Sequence, residues 1–238
     1  VFMRYMLPLL PLFCVAAGTL IAGWGGGRTR MIVFLALILA APTAWSSYHH
    51  SRLLAETDTR VLASRWIEER VPAGSRIALC CGSDYGYPQL RLAREALAAR
   101  VAELRAAGLP ARRLQRTLAL GSALPGPGYQ LVELRAANAE GFSWVWSGYA
   151  VDELVRDGIE WVVLHHLSEL DYSRLDSAFV TALERVGERQ VLFDPLVADS
   201  GRRRYDPIDA FYLPVSGFAG VERPGPRIAV YRLGVDRL

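Results

Sequence analysis

The chain has 238 residues, and its formal charge of +3 comes wholly from its start: residues 1–48 hold three Arg and no acid, while the other 24 cations balance 24 acids. That balance excludes the one-sided basic face expected of a nucleic-acid binder. About 190 residues follow the first 48, enough for one domain with its own core, and three Cys exclude a disulfide framework.

Two apolar runs come first, Tyr5 to Trp24 and Met31 to Tyr48, separated by Gly25-Gly26-Gly27-Arg28-Thr29-Arg30. Neither run contains Asp, Glu, Lys or Arg. About 20 apolar residues cross a hydrocarbon core of about 30 Å, so residues 1–48 are expected to form a transmembrane helical hairpin. Tyr5, Trp24, Trp45 and Tyr48 fall where interfacial aromatic rings lie. Arg28 and Arg30 in the loop outweigh Arg4 at the far end, and short basic loops stay cytoplasmic. The expected protein is therefore multi-pass in the inner (plasma) membrane, with residues 49–238 as a periplasmic, extracytoplasmic α/β domain. A signal peptide built on Ile32 to Ala44 is the competing reading. Pro42-Thr43-Ala44 is a poor cleavage site for it, and a second apolar run in front of it is out of place.

Thr57 or Asp58 is placed to cap a helix reaching Val71, with Leu62, Trp66, Ile67 and Val71 on its apolar side, and Pro72 to Ser75 stops it. Arg76 to Cys80 reads as a buried strand, followed by a loop from Gly82 to Pro88. Gln89 to Ala107 carries Leu90, Ala93, Leu97, Val101 and Leu104 at helical spacing. Ala111 to Leu120 reads as a short basic helix; Arg112, Arg113 and Arg116 either face water or meet lipid headgroups. After the turn Pro125 to Gly128 come a strand, Tyr129 to Leu134, and a loop with Phe142, Trp144 and Trp146. A helix from Val151 to Asp157, a strand from Ile159 to His165, a helix from Ser173 to Val186 and a strand from Gln190 to Phe193 follow. Asp194 to Pro226 is a loop with five Pro, and Arg227 to Leu233 is the last strand. Alternating strands and helices predict a mostly parallel sheet flanked by helices, and the long final loop permits an antiparallel edge strand.

Chemistry-bearing patterns are sparse. Gly23 and Gly25 to Gly27 have no strand before them and no phosphate-loop Lys. Neither a Gly-x-Ser-x-Gly elbow nor a His-Glu-x-x-His helix occurs. Cys80 and Cys81 read as small core residues at a strand end, and no third ligand stands near them for redox or metal chemistry. His49-His50 and His165-His166 invite a metal reading, but neighbours on a strand point to opposite faces. His165 does fall at the carboxyl end of a strand, where open α/β sheets bind ligands, so a site and a core His both stand open there. Asp152 and Glu153 fit the first turn of a helix. No metal and no cofactor are expected. Arg4 and Tyr5 sit at the outer mouth of the first run, where a guanidinium either anchors at the interface or pairs with a lipid phosphate.

Four stretches together resemble the end of bacterial GT-C glycosyltransferases, in the family-39-like group related to protein mannosyltransferases and aminoarabinose transferases. They are Arg4-Tyr5-Met6-Leu7-Pro8-Leu9-Leu10-Pro11, then Asp58-Thr59-Arg60-x-x-Ala63-x-x-Trp66-Ile67, then Arg204-Tyr205-Asp206-Pro207-x-Asp209-Ala210-Phe211-Tyr212, then Arg223-Pro224-Gly225-Pro226-Arg227-Ile228-x-x-Tyr231-Arg232-Leu233. The resemblance implies an integral-membrane enzyme that moves a sugar from a polyprenyl-phosphate carrier to a lipid, glycan or protein on the outer face. It implies that Arg4 and Tyr5 bind the carrier phosphate, and that the outer domain shapes the acceptor or donor site. The family's catalytic Asp lies in an early outer loop with no counterpart here, so no catalytic residue is assigned in this chain. The expected partners are membrane lipid, the polyprenyl-linked sugar and a preceding transmembrane part. The alternative is a non-catalytic, membrane-anchored module that binds a periplasmic partner or glycan.

Overall fold

The computed structural model describes residues 10–24, 29–80, 86–108, 110, 112, 114–116, 126–134, 150–167, 169–170, 177–197, 203–206 and 212–234. Helix α1 runs Leu10–Trp24 and α2 runs Thr29–Ala55. The remaining elements are α3 Thr59–Arg70, β1 Arg76–Cys80, α4 Arg94–Ala106, β2 Gln130–Leu134, α5 Val151–Arg156, β3 Trp161–His166, α6 Ser177–Val186, β4 Gly187–Phe193 and β5 Arg227–Leu233.

The expectation of two membrane helices is corrected. Only one described helix is long and apolar enough to cross a membrane, and it is the one built on α2. As described, α1 has 15 residues, a rise of about 22 Å against the roughly 30 Å of a hydrocarbon core. Helix α2 has 27 residues with Pro42 inside it. Its apolar window has a mean hydropathy of 1.7 and none of it is buried. Phe34, Leu37, Leu39 and Trp45 all point outward from the protein. A helix that is apolar all round and uncovered by its own domain has the surface that lipid, rather than water, accommodates.

The sheet is also corrected, from mostly parallel to mixed. Its order is β2-β1-β3-β5-β4. β1 pairs in parallel with β2 and β3, while β5 runs antiparallel to both β3 and β4. The antiparallel strand is therefore not at an edge, as the sequence reading allowed, but between two others. The reason lies in the loop before it. Phe193 at the end of β4 stands beside Ile228 near the start of β5, so the Pro-rich connection returns to the end it left, without a crossover. Entry from that end makes the next strand antiparallel.

Alternation along the strands divides the core between two faces. Ala78, Cys80, Val162, Leu164, Ala229 and Tyr231 pack with Leu154 of α5 and Phe179 and Leu183 of α6. Ile77, Leu79, Trp161, Val163, Ile228 and Val230 pack with Ala63 and Ile67 of α3. On α3 the buried stripe is Thr59, Ala63 and Ile67, four residues apart, whereas Leu62 and Trp66 are half-buried. Tyr129 reaches from the start of β2 to donate its hydroxyl to the Ile67 carbonyl at 3.1 Å, closing the last turn of α3. Helix α4 starts five residues later than the spacing predicts. Leu92 instead makes a bridge beside Tyr129, so Gln89 to Ala93 continue as extended chain. Ser177 is the first described residue of α6; residues 173–176, the expected first turn, and most of 111–120 lie outside the described residues. β4 is an edge strand whose exposed Glu188, Arg189 and Gln190, with a bulge beside Gln190, blunt it against pairing with another chain.

Candidate functional site

The strand order turns back at β1, which has β2 on one side and β3 on the other, so a crevice is expected between the carboxyl ends of β1 and β3. His165 stands there at the end of β3 and is fully buried. Two tyrosine rings meet its imidazole edge-on: Tyr87 at 4.7 Å and Tyr212 at 6.4 Å between centroids. Gly86 lies flat against it. A Cβ on Gly86 would fall 2.0 Å from His165 Cδ2 and 2.7 Å from the Tyr212 hydroxyl. The crevice is thus filled by the chain itself.

Neither ring nitrogen of His165 has a hydrogen-bond partner among the described residues. Burial first, then His166 and Arg60, pull its pKa down to about 3. The imidazole is therefore neutral across the physiological range and cannot serve as a cation. His166 on the opposite side of the strand is half-buried, also pulled down by burial and by Arg227. Among the described residues no group of three His, Cys, Asp or Glu could hold a metal ion. Burial raises the Cys80 thiol well above its ordinary value, so Cys80 is the small core residue that its position predicts.

Next to this crevice the start of α3 is locked onto the start of β5. Asp58 caps α3, its carboxylate accepting from the Arg60 amide at 2.7 Å. The same carboxylate takes the Arg60 guanidinium in a fork, at 2.9 and 2.6 Å. Thr59 is fully buried; its amide donates to the Pro224 carbonyl at 3.0 Å and its hydroxyl to the Pro226 carbonyl at 2.7 Å. Gly225, between the two prolines, has φ +111°, and a Cβ there would fall 2.0 Å from the Thr59 hydroxyl and 2.7 Å from Asp58 Oδ1. Only glycine meets both demands. The Gly225 amide in turn donates to the Tyr212 carbonyl at 3.1 Å. Tyr212 is the one described non-glycine residue with positive φ, at 51°. Its ring lies under the Arg60 guanidinium at 5.6 Å. Strain of this kind persists only where the surroundings over-determine it.

A third segment completes the lock. Arg203 pairs with Glu169 at 2.8 Å just beyond β3, and Tyr205 packs with Leu167, Leu170 and Tyr212. Burial, then the Glu169 carboxylate, pushes the Tyr205 phenol up to about 12. Arg227 at the start of β5 pairs with Asp194 at 2.6 Å. Arg60, Tyr205 and Gly225, one from each segment, thus converge on Tyr212, whose ring meets His165 edge-on.

A second feature lies on the other side of Arg223. A cavity of about 780 Å³ opens between the end of α2, from Trp45 on through Glu56 just past it, and the loop 217–223. His49 stacks on Phe218 at 5.6 Å with rings 14° apart, and Trp45 meets His49 edge-on at 4.5 Å. The Arg223 guanidinium donates to the Thr57 carbonyl at 3.3 Å, joining the cavity wall to the approach to α3.

No protein-family model, curated protein or solved structure matches the chain.

The residues singled out in the sequence fare unequally. Arg4, Tyr5, Arg28 and Cys81 lie outside the described residues. His165 is buried as a core residue at the expected strand end, and His49 belongs to an aromatic stack rather than to a metal pair. Gly86, Tyr87, Gly225 and the cavity on α2 were missed. The signal for Gly225 was in plain view: a glycine between two prolines calls for a backbone that neither proline can adopt.

Proposed function

We propose that the chain is the C-terminal region of an integral-membrane glycosyltransferase that draws on a polyprenyl-phosphate-linked sugar, with its α/β domain shaping the donor or acceptor site. One observation supports this reading above others. Three stretches far apart in the chain, Asp58 to Arg60, Arg204 to Tyr212 and Arg223 to Arg227, carry the resemblance to GT-C enzymes, and residues from all three interlock around Gly225 and Tyr212. Stretches that fold into one hub are natural candidates to recur together. In this reading the hub positions and the chemistry comes from elsewhere. The Asp58 carboxylate is committed to Arg60, and the His165 imidazole is neutral and sealed. A transfer to a hydroxyl needs a base to take the proton.

In the same reading α2 crosses the plasma membrane with Arg28 and Arg30 on the cytoplasmic side, which leaves the domain outside. The resemblance assigns the carrier phosphate to Arg4 and Tyr5, which lie outside the described residues. The test is a transfer assay in membranes that express the gene together with any in-frame sequence preceding Val1. Labelled sugar should move from a polyprenyl-phosphate donor, and the pair Arg4→Ala with Tyr5→Phe should slow it about tenfold or more. Wild-type rates in that pair would remove the phosphate role. No donor-dependent transfer at all would favour a non-catalytic anchored module, the second reading, which the open cavity beside α2 supports because binding there needs only residues of this chain.

A further inference from the structure

We propose that the cavity between the outer end of α2 and the loop 217–223 holds the phosphoethanolamine headgroup of a membrane phospholipid. The inference rests on the reading that α2 crosses the bilayer.

Position comes first. Trp45 and Tyr48 are exposed at the end of the apolar run of α2, at the level where amphipathic rings mark the membrane interface. The cavity starts at Trp45 and ends at Glu56, about 16 Å along the helix axis. Its lower mouth is therefore at headgroup depth, and its upper wall lies above the membrane surface. At about 780 Å³ it is well within the roughly 300–1,000 Å³ of small-molecule sites, with room for the glycerol linkage below a headgroup.

Charge comes second. Arg52 and Arg223 line the cavity together with Glu56 and Glu222. Among the described residues none of these four side chains makes an ion pair. Arg52 and Glu56 stand four residues apart across the end of α2. Two cations and two anions facing one space complement a ligand that carries both signs and no net charge. A phosphate is taken by guanidinium forks. A primary ammonium donates three hydrogen bonds to carboxylates and can lie over the face of Trp45. A choline headgroup matches the phosphate and the ring but cannot donate to Glu56 or Glu222. A glycerol headgroup has no cation for them.

The test uses the full chain in nanodiscs of phosphatidylglycerol alone, or of that lipid mixed equally with phosphatidylethanolamine or phosphatidylcholine. Lipids retained on detergent release are counted by native mass spectrometry. Phosphatidylethanolamine should be retained about fivefold or more over either other lipid. Glu56→Gln with Glu222→Gln should erase that preference, and Arg52→Gln should weaken retention of all phospholipids. Both carboxylates are exposed, so an unchanged melting curve will show that the variants fold. Equal retention of the three lipids, or a preference that survives the double variant, overturns the proposal. Retention of soluble O-phosphoethanolamine as strong as that of the lipid would move the source of the ligand out of the bilayer and overturn it as well. Alkaline carbonate extraction separates the two layers of the argument. A chain that stays in the membrane but shows no headgroup preference loses only the headgroup; a chain that is washed out loses the membrane helix on which the headgroup depends.

Discussion

Two places in this molecule invite a ligand, and they are built in opposite ways. The crevice at the ends of β1 and β3 lies where open α/β sheets ordinarily bind, yet Gly86, Tyr87 and Tyr212 pack it shut around a neutral His165. The cavity beside α2 lies off the sheet altogether, and it is open and lined by charges of both signs that make no ion pair among the described residues. The difference teaches that sheet topology locates a convergence of chain segments but not its use. Here the convergence fastens the domain to α3, three residues after α2 ends. The exposed charges lie instead beside α2, the helix long and apolar enough to cross a membrane. The crevice should therefore govern stability and the cavity should govern binding, and substitutions can break or sharpen that division.

The largest effect is expected at the lock itself. Gly225→Ala must relieve a 2.0 Å approach to the Thr59 hydroxyl at a φ of +111°, and both the backbone and the buried hydroxyl resist. A loss of about 4 kcal/mol or more is expected, read as the denaturation midpoint by circular dichroism. Gly86→Ala, facing His165 Cδ2 at the same distance, should behave alike. If either variant stayed within about 1 kcal/mol of wild type, the close packing on which the sealed crevice depends would be absent.

The sequence made some of this legible and hid the rest for identifiable reasons. β1 and β5 were readable to the residue because they are continuous apolar runs bounded by turn residues, and both are central strands buried on both faces. Local chemistry offered Thr57 or Asp58 as the cap of α3, and the fold uses Asp58. The direction of β5 did not, since an apolar run carries no sign of parallel or antiparallel pairing; only the return of the 194–226 loop to its starting end sets it. His165 was marked by its strand-end position. Whether it would be open or sealed depended on Tyr87 and Tyr212, which are distant in sequence and follow no periodic pattern.

The next effect is a pH dependence carried by His165. In the unfolded chain its pKa is about 6.5; in the folded chain burial, His166 and Arg60 bring it down to about 3. Between those values the unfolded state binds more protons, so stability rises with pH. The contribution is present in full above about pH 6.5 and is lost progressively as pH falls toward 3. At pH 5 the loss is about 2 kcal/mol relative to pH 7 by the same linkage. His165→Leu, similar in bulk and unable to titrate, should flatten that part of the curve whatever it does to stability at pH 7. Equal slopes for the two proteins between pH 7 and 5 would mean that the imidazole meets water or a partner.

The smallest effect is expected at the cavity, and its smallness is the point. Arg52, Glu56 and Glu222 are exposed and take part in no ion pair among the described residues. Removing their charges breaks no ion pair among the described residues. Surface changes of this kind shift unfolding by about 0.5 kcal/mol or less. Arg52→Gln, Glu56→Gln and Glu222→Gln should therefore leave the midpoint nearly unchanged, singly or together. That outcome would leave the three charges free to meet a ligand rather than to hold the fold. A loss of more than about 1 kcal/mol in the triple variant would show instead that they brace α2 against the loop 217–223. The cavity would then be a structural joint like the crevice, and the division between the two regions would fail.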